Sequence, residues 1–254
     1  MPVQSLRGGD VWLRGLSAAG LLALWQAAAG LASAPQLLPG PAAVAAALAR
    51  LVAGGQLPLD LAITLLRVAA SFALALAAGA AIGIAMGRSR RVDALFDLWL
   101  VLGLNIPALV IIYLCYLWGG LTEAAAILAV ALNKVPNTAT ILREGARAVD
   151  RELLQVADVL HLSAMRRLRQ VYLPQLYPYL MAATRSGLSL IWKIVLVAEF
   201  VGRSNGVGFR LNLYFQFFDI TNILAYSASF IAVVLAVEAW AIRPLERRLT
   251  RWRG

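Results

Sequence analysis

The chain is poor in soft and reactive side chains, with one cysteine (Cys115) and one histidine (His161) in 254 residues. An intrachain disulfide and a Cys/His metal site are therefore excluded. Charge is scarce too, at 14% of residues where a soluble domain carries about 25%. No polar block is long enough for a soluble domain, so a soluble globular enzyme does not fit. The G-x-x-x-x-G-K-[ST] phosphate loop is absent, because the only lysines, Lys134 and Lys193, lack glycines at the needed positions. No internal repeat and no low-complexity tail is evident.

What the chain has is apolar length. Hydrophobic residues make up 61%, and the mean hydropathy is +0.76. A bilayer crossing needs about 20 mostly apolar residues. Such stretches lie near 12–33, 60–87, 95–118, 120–142, 177–201 and 223–242. Backbone groups in lipid must bond within their own segment, and the short alternating strands of a barrel are missing. The sequence thus predicts an all-α membrane protein of six transmembrane helices in one domain, residues 1–254. The first stretch also fits a signal peptide, since Arg7 and Arg14 precede an apolar run ending Ala32-Ser33-Ala34, but Pro35 opposes cleavage.

The 23 Lys+Arg exceed the 13 Asp+Glu, for a formal +10. These basic groups lie between apolar runs rather than on one face, which argues for membrane orientation and against nucleic acid. With the N-terminus inside, Arg7, Arg14, Arg88, Arg90, Arg91, Arg143, Arg147, Arg151, Arg166, Arg167, Arg169, Arg243, Arg247, Arg248, Arg251 and Arg253 face the cytoplasm. Arg50, Arg203 and Arg210 fall on the other side. That asymmetry predicts an N-in, C-in topology. After the first span, Pro35, Pro39, Gly40 and Pro41 lead into an alanine-rich stretch, Ala42 to Val52, expected to be a short surface helix. Gly79, Gly83 and Gly87 recur every fourth position on the second span, so a neighbouring helix is expected to approach closely there.

The longest non-apolar segment is a charge-dense loop, about 143–176, between the fourth and fifth spans. Leu153, Leu154, Ala157, Leu160, Met165, Leu168, Val171 and Tyr172 recur at helical spacing. Two short amphipathic helices joined by a turn are expected, with Pro174 ending the second. Such an element either docks on a partner or lies on the anionic inner leaflet. Ala157 and Leu160 are assigned to its buried face.

This loop resembles the signature of permease subunits of ATP-binding-cassette (ABC) importers, in the nitrate, sulfonate, taurine and bicarbonate branch. That signature reads E-A-A, three residues, G, nine residues, I-x-L-P. Here Gln155-Val156-Ala157, then His161, then Val171-Tyr172-Leu173-Pro174 keep the full spacing, with His161 standing where the family has its turn glycine. Thr64-Leu65-Leu66-Arg67 with Ser71-Phe72, Pro107, Leu117-Trp118-Gly119-Gly120, Val149-Asp150, Leu173-Pro174-Gln175-Leu176-Tyr177-Pro178, and Ala198-Glu199-Phe200 with Gly206-Val207-Gly208 extend the likeness along nearly the whole chain.

The resemblance implies the type I ABC importer permease fold in the bacterial inner membrane. Gln155, Val156, Ala157, Leu160, His161, Leu173 and Pro174 then couple the chain to a cytoplasmic ATPase. It further implies two ATPase subunits that hold the ATP and Mg, a second permease chain, and a periplasmic or lipid-anchored solute-binding protein. This chain itself is expected to carry no catalytic residue, metal or cofactor.

Ionisable groups within spans usually face the bundle interior or a water-filled path. Arg185, Ser189 and Lys193 share one face of the fifth span at i, i+4 and i+8. A stripe of this kind suits a path for a small anion. It also suits an Arg185 that reaches the interface and a Lys193 paired with Glu199 or Glu123. Asn133, Lys134 and Asn137 of the fourth span either line the path or bond between helices. Asn105 and Pro107 are expected to interrupt the third span. Glu199, Gly206 and Gly208 mark a gate, a binding-protein contact or a capped turn.

Two other classes fit the sequence less well than the importer permease. An intramembrane enzyme needs a nucleophile and base or a metal cluster, and one histidine without paired carboxylates supplies neither. An ion-coupled secondary transporter or channel calls for an inverted repeat or a pair of broken helices.

Overall fold

The computed structural model describes residues 8–32, 36–242 and 244. Arg7, Arg243, Arg247, Arg248, Arg251 and Arg253 of the predicted basic set, and Ser33 to Pro35 of the cleavage-like stretch, lie outside the described residues. Among the described residues every regular element is a helix: α1 (Gly8–Leu31), α2 (Pro41–Ala53), α3 (Gln56–Arg88), α4 (Arg90–Asn105), α5 (Ala108–Gly119), α6 (Glu123–Arg147), α7 (Arg151–Val159), α8 (Ala164–Arg167), α9 (Leu173–Gly202), α10 (Val207–Gln216) and α11 (Ile220–Val237). Single π turns, Leu168–Tyr172 and Glu238–Ile242, precede α9 and follow α11.

Four helical stretches are long and apolar enough to cross a membrane: Gln56–Arg88, Glu123–Arg147, Ala164–Gly202 and Ile220–Trp240. Counting α4 and α5 as one crossing makes five. The first predicted span falls on α1, a 24-residue helix whose stretch Gly15–Leu31 is apolar. Many large apolar side chains point outward, among them Leu66, Leu117 and Trp118 at 70 to 77% exposure. A surface this greasy suits lipid rather than water.

The third predicted span, 95–118, is not one straight helix, because α4 and α5 meet at 101°. Ile106 precedes Pro107 and is extended, at φ −71° and ψ 125°, as a pre-proline residue must be to avoid the ring. Asn105 Nδ2 turns back to the Val101 carbonyl at 2.7 Å. Pro174 also departs from expectation, since it does not end a helix. The π turn Leu168–Tyr172 comes just before it, and the chain stays helical from Ala164 to Gly202. A wider turn gives the proline ring the room that an α-helix denies it. The predicted surface helix is α2, which starts on Pro41 at its first position, where a missing N–H costs nothing.

The chain forms two compact units. One comprises Met1–Leu59 and Arg210–Ile231. Its core joins Val44, Ala47 and Ala225, flanked by Trp25, Leu48, Leu51 and Leu224. Trp25 Nε1 donates to the Pro39 carbonyl at 3.1 Å.

The other comprises Asp60–Phe209 and Ala232–Gly254. Here α6 is central and packs on α4, α5 and α9. The glycine stripe of α3 lies against α6. A Cβ added at Gly79 would stand 2.6 Å from Thr138 Cβ, one at Gly87 2.5 Å from Ala146 Cβ, and one at Gly83 would strike the Ala139 carbonyl. Close helix approach is what the spacing predicted. At one end of α6, Arg143 pairs with Asp93 (2.6 Å) and Asp97 (2.8 Å), and Arg147 with Asp93 (2.5 Å), which ties α4 to α6.

Candidate functional site

Two constellations stand at opposite ends of α3, α6 and α9. The first is the loop after α6. Asp150 caps α7 by accepting from Glu152 N at 2.8 Å, and its own N–H donates to Gln175 Oε1 at 2.8 Å. Leu154 packs on the cluster of Ala146, Val149, Tyr172 and Leu176. Of the pair assigned to the buried face, only Ala157 is buried, at 2% exposure, whereas Leu160 is 64% exposed. Leu153, Val156 and Val159 are also exposed. With Leu160 they form an apolar outer face on α7. Gln155 and His161 are exposed beside it, while Leu173 and Pro174 are half-buried at the start of α9.

The turn after α7 keeps the backbone of a glycine without having one. His161 has φ 50°, the left-handed region that costs an L side chain about 1–2 kcal/mol. Leu162 N donates to Ala157 O at 3.0 Å and His161 N to Asp158 O at 3.0 Å, the paired bonds of a Schellman cap. Arg167 reaches across to Asp158 at 2.5 Å. The signature spacing is therefore kept because the turn is kept. Replacing His161 with glycine is expected to raise the stability of this segment by about 1 kcal/mol. Slower amide exchange across residues 157–162 in His161→Gly checks this, and unchanged exchange would refute the strain.

The second constellation is a buried charge network. Asp60, Thr64, Arg67 and Ser71 line one face of α3 and are 0 to 3% exposed. The Arg67 guanidinium donates from Nη1 to Glu199 Oε1 (2.8 Å) and to the Asn205 carbonyl (2.9 Å), from Nε to Glu123 Oε2 (2.7 Å), and from Nη2 to Glu123 Oε1 (2.6 Å). Its Nη2 also reaches Asn205 Oδ1. Glu199 is fully buried. Thr64 Oγ1 donates to its carboxylate at 2.8 Å, and Gly208 N does so at 2.8 Å. Gly206 N donates to Asp60 Oδ1 at 3.1 Å, and Val207 N to Thr64 Oγ1 at 2.9 Å. The loop after α9 is thus held by its own amides. Gly206 has φ 98°, and a Cβ there would lie 2.6 Å from Glu199 Oε1, so both backbone and space require glycine. Arg203 pairs with Glu123 at 2.5 Å and reaches the Leu121 carbonyl.

These partners correct one sequence reading. Glu123 and Glu199 bind Arg67 and Arg203, and Lys193 has no ion pair among the described residues. Sequence reasoning singled out Glu199, Gly206 and Gly208 but gave no role to Asp60, Thr64 and Arg67. The signal was there as polar residues at i, i+4 and i+7 in an apolar helix.

On α9, Arg185, Ser189 and Lys193 are all exposed on one face. Lys134 instead is 2% exposed and donates to Asn137 Oδ1 at 2.7 Å. Its side chain passes beside Gly187, where an added Cβ would be in ordinary contact with Lys134 Cε at 3.4 Å. Asn133 is half-buried. Cys115 is buried and unpaired, and the described residues hold no cluster of metal-ligating side chains.

A greasy helical body with internal ion pairs and an exposed apolar face on α7 is the build of a multi-span helical membrane protein. Residues 73–242 match the family described as "Binding-protein-dependent transport system inner membrane component". The chain belongs to that family, the inner-membrane permease subunits of binding-protein-dependent ABC importers. Such permeases are non-catalytic and carry no cofactor, and the ATPase is a separate subunit.

The chain is 32% identical over 96% of its length, and 88% of the relative's, to the Bacillus subtilis (strain 168) protein named "Putative aliphatic sulfonates transport permease protein SsuC". It is 30% identical to the Escherichia coli (strain K12) taurine transport system permease protein TauC, over 92% and 87% of the two chains. Against the bicarbonate transport system permease protein CmpB of Synechococcus elongatus the identity is 29%, over 58% and 53%. In fold it is similar to the solved structure titled "Crystal structure of an amino acid ABC transporter with histidines". The TM-score is 0.63 at 18% identity, covering 79% of this chain and 97% of that one.

Proposed function

We propose that this permease crosses the inner membrane six times with both termini in the cytoplasm, works as a pair of identical chains, and imports a small anion by alternating access. Two cytoplasmic ATPases, which bind the ATP and Mg, drive the cycle through the α7–α8 element. A periplasmic or lipid-anchored binding protein delivers the cargo. The observation that carries this reading is the outer face of α7, where Leu153, Val156, Val159 and Leu160 are exposed beside a left-handed turn at His161. Rigid-body closure of the ATPases, passed to the permease through such a lever, switches it between inward-open and outward-open states. Glu199, Gly206 and Gly208 serve as a gate on the periplasmic side. Direct contact of Glu199 with a binding protein does not fit a carboxylate that is fully buried.

The anionic cargo rests on the exposed face of Arg185, Ser189 and Lys193. It also rests on relatives named for aliphatic sulfonates, taurine and bicarbonate, each with an anionic oxyacid group. Lys134 with Asn137, and Asn133 beside them, brace the helix interior in this conformation.

Two experiments test the reading. The chain, tagged and extracted in mild detergent, is expected to bring a stoichiometric P-loop ATPase with it. If it purifies alone and stable, the coupling reading falls and an ion-coupled carrier or channel takes its place. In proteoliposomes of the assembled transporter, Lys193→Met is expected to lower anion uptake about tenfold, the equivalent of ~1.4 kcal/mol. Unchanged uptake would remove Lys193 from the path.

A further inference from the structure

A cavity of about 630 Å³ opens between the ends of α3 and α6 and the α7–α8 element. Its walls carry Arg88, Arg147, Arg151 and Arg167 against a single carboxylate, Asp158. Two of these arginines are already matched. Arg167 pairs with Asp158 at 2.5 Å, and Arg147 pairs with Asp93 and Glu144, which lie outside the wall. Arg88 and Arg151 make no ion pair among the described residues. The Arg88 guanidinium lies over the Tyr172 ring, 5.3 Å from its centroid. Stacking fixes the plane of a guanidinium and leaves its N–H edges free to donate.

We infer that this cavity binds a phosphate-bearing anion, with Arg88 and Arg151 as its ligands. Guanidinium forks match tetrahedral oxyanions by paired, charge-assisted hydrogen bonds. The volume exceeds what a bare oxyanion fills, and Leu154 and Leu168 add apolar wall. The ligand is therefore an organic phosphate with an uncharged remainder. The headgroup of an anionic phospholipid has this chemistry, and so does a soluble phosphate ester. The position favours the lipid, because α3 and α6 are membrane-crossing in length and end at the cavity. Basic pockets between such helices on the cytoplasmic side take anionic headgroups.

The inference goes beyond the coupling role and is read by binding alone, so it stands or falls separately from the partner ATPase. If occupied, the cavity would tie Arg151 of α7 to Arg88 of α3, so the ligand would brace the coupling element against the membrane-spanning body.

The test uses the full-length chain, delipidated in detergent, with bound molecules counted by native mass spectrometry. Phosphatidylglycerol, phosphatidylcholine and soluble glycerol phosphate are titrated in turn. The variants are Arg88→Gln with Arg151→Gln, and, as a charge-matched control outside the cavity, Arg90→Gln with Arg91→Gln. At least tenfold preference for phosphatidylglycerol over phosphatidylcholine, lost in the first variant and kept in the control, supports the lipid source. Saturable glycerol phosphate binding with the same dependence, and no lipid preference, supports the soluble source. Equal binding in wild type and the first variant, or equal loss in both double variants, overturns the site. Should the double variant fail to fold, Arg151→Gln alone serves, since Arg151 is exposed and bears no structural bond among the described residues.

Discussion

Arg67→Met is expected to be among the most damaging single substitutions in this chain. Its side chain is 4% exposed and that of Glu199 is 0%, so removing the guanidinium leaves a carboxylate with no cationic partner and no water. Breaking a buried pair from one side costs about 3–5 kcal/mol. The same change frees the Asn205 carbonyl and one face of Glu123, and so loosens the loop through Gly208. The double variant Arg67→Met/Glu199→Met removes both charges together and is expected to recover most of the stability, because two apolar side chains need no partner. Thermal unfolding of the purified permease in detergent checks both. A single variant that melts with the wild type would show that Glu199 finds another partner, and the network would lose its structural standing.

The second large effect separates folding from coupling on one short helix. Val156→Glu with Leu160→Glu alters the outer face of α7, where both residues are more than half exposed, and is expected to leave the melting temperature unchanged. Loss of an apolar anchor at an interface core costs about 2 kcal/mol, or ~30-fold in affinity. ATPase co-purification and ATP-driven uptake are expected to fall together by that factor or more. Ala157→Glu makes the opposite pattern. Ala157 is 2% exposed and faces the chain's own interior, so a charge there is expected to lower the melting temperature first and coupling only as a result. If Val156→Glu/Leu160→Glu transports normally, the partner does not seat on this face.

The few internal charges of this permease fall into two groups. Arg67, Glu123, Glu199 and Arg203 are consumed in holding the loop after α9. Lys193 is left without an ion pair among the described residues. Lys193→Met therefore removes a charge without breaking an ion pair among the described residues, which makes it a direct test of the proposed anionic cargo.

Local properties were legible in the sequence. Apolar length placed α3, α6, α9 and α11, since a lipid-exposed backbone has helix as its only outlet. The 3.6-residue period of Leu153, Leu154 and Ala157 announced a short amphipathic helix. Glycines every fourth position announced a close helix contact. The spacing from Gln155 to Pro174 pointed to the family, because a turn and a helix of fixed length keep their residue count even when a histidine replaces the glycine. Pro107 marked the break between α4 and α5, although not its 101° angle.

Other features belong to the tertiary structure alone. Glu199 meets Arg67 from 132 residues away, and nothing local chooses Arg67 over Lys193 as its partner. That choice follows from how α3 and α9 pack around α6, because a buried carboxylate is stable only beside the cation that packing brings to it. The same is true of α7, where the sequence placed Ala157 and Leu160 on one face and the structure turns only Ala157 inward. The sequence by itself determined that the chain is a helical membrane permease with a short amphipathic helix after α6, since length, period and spacing are properties of neighbouring residues. Which charges are neutralised, which stay without an ion pair, and which face of α7 is exposed were decided only by the folded chain, where residues distant in sequence compete for the same buried positions.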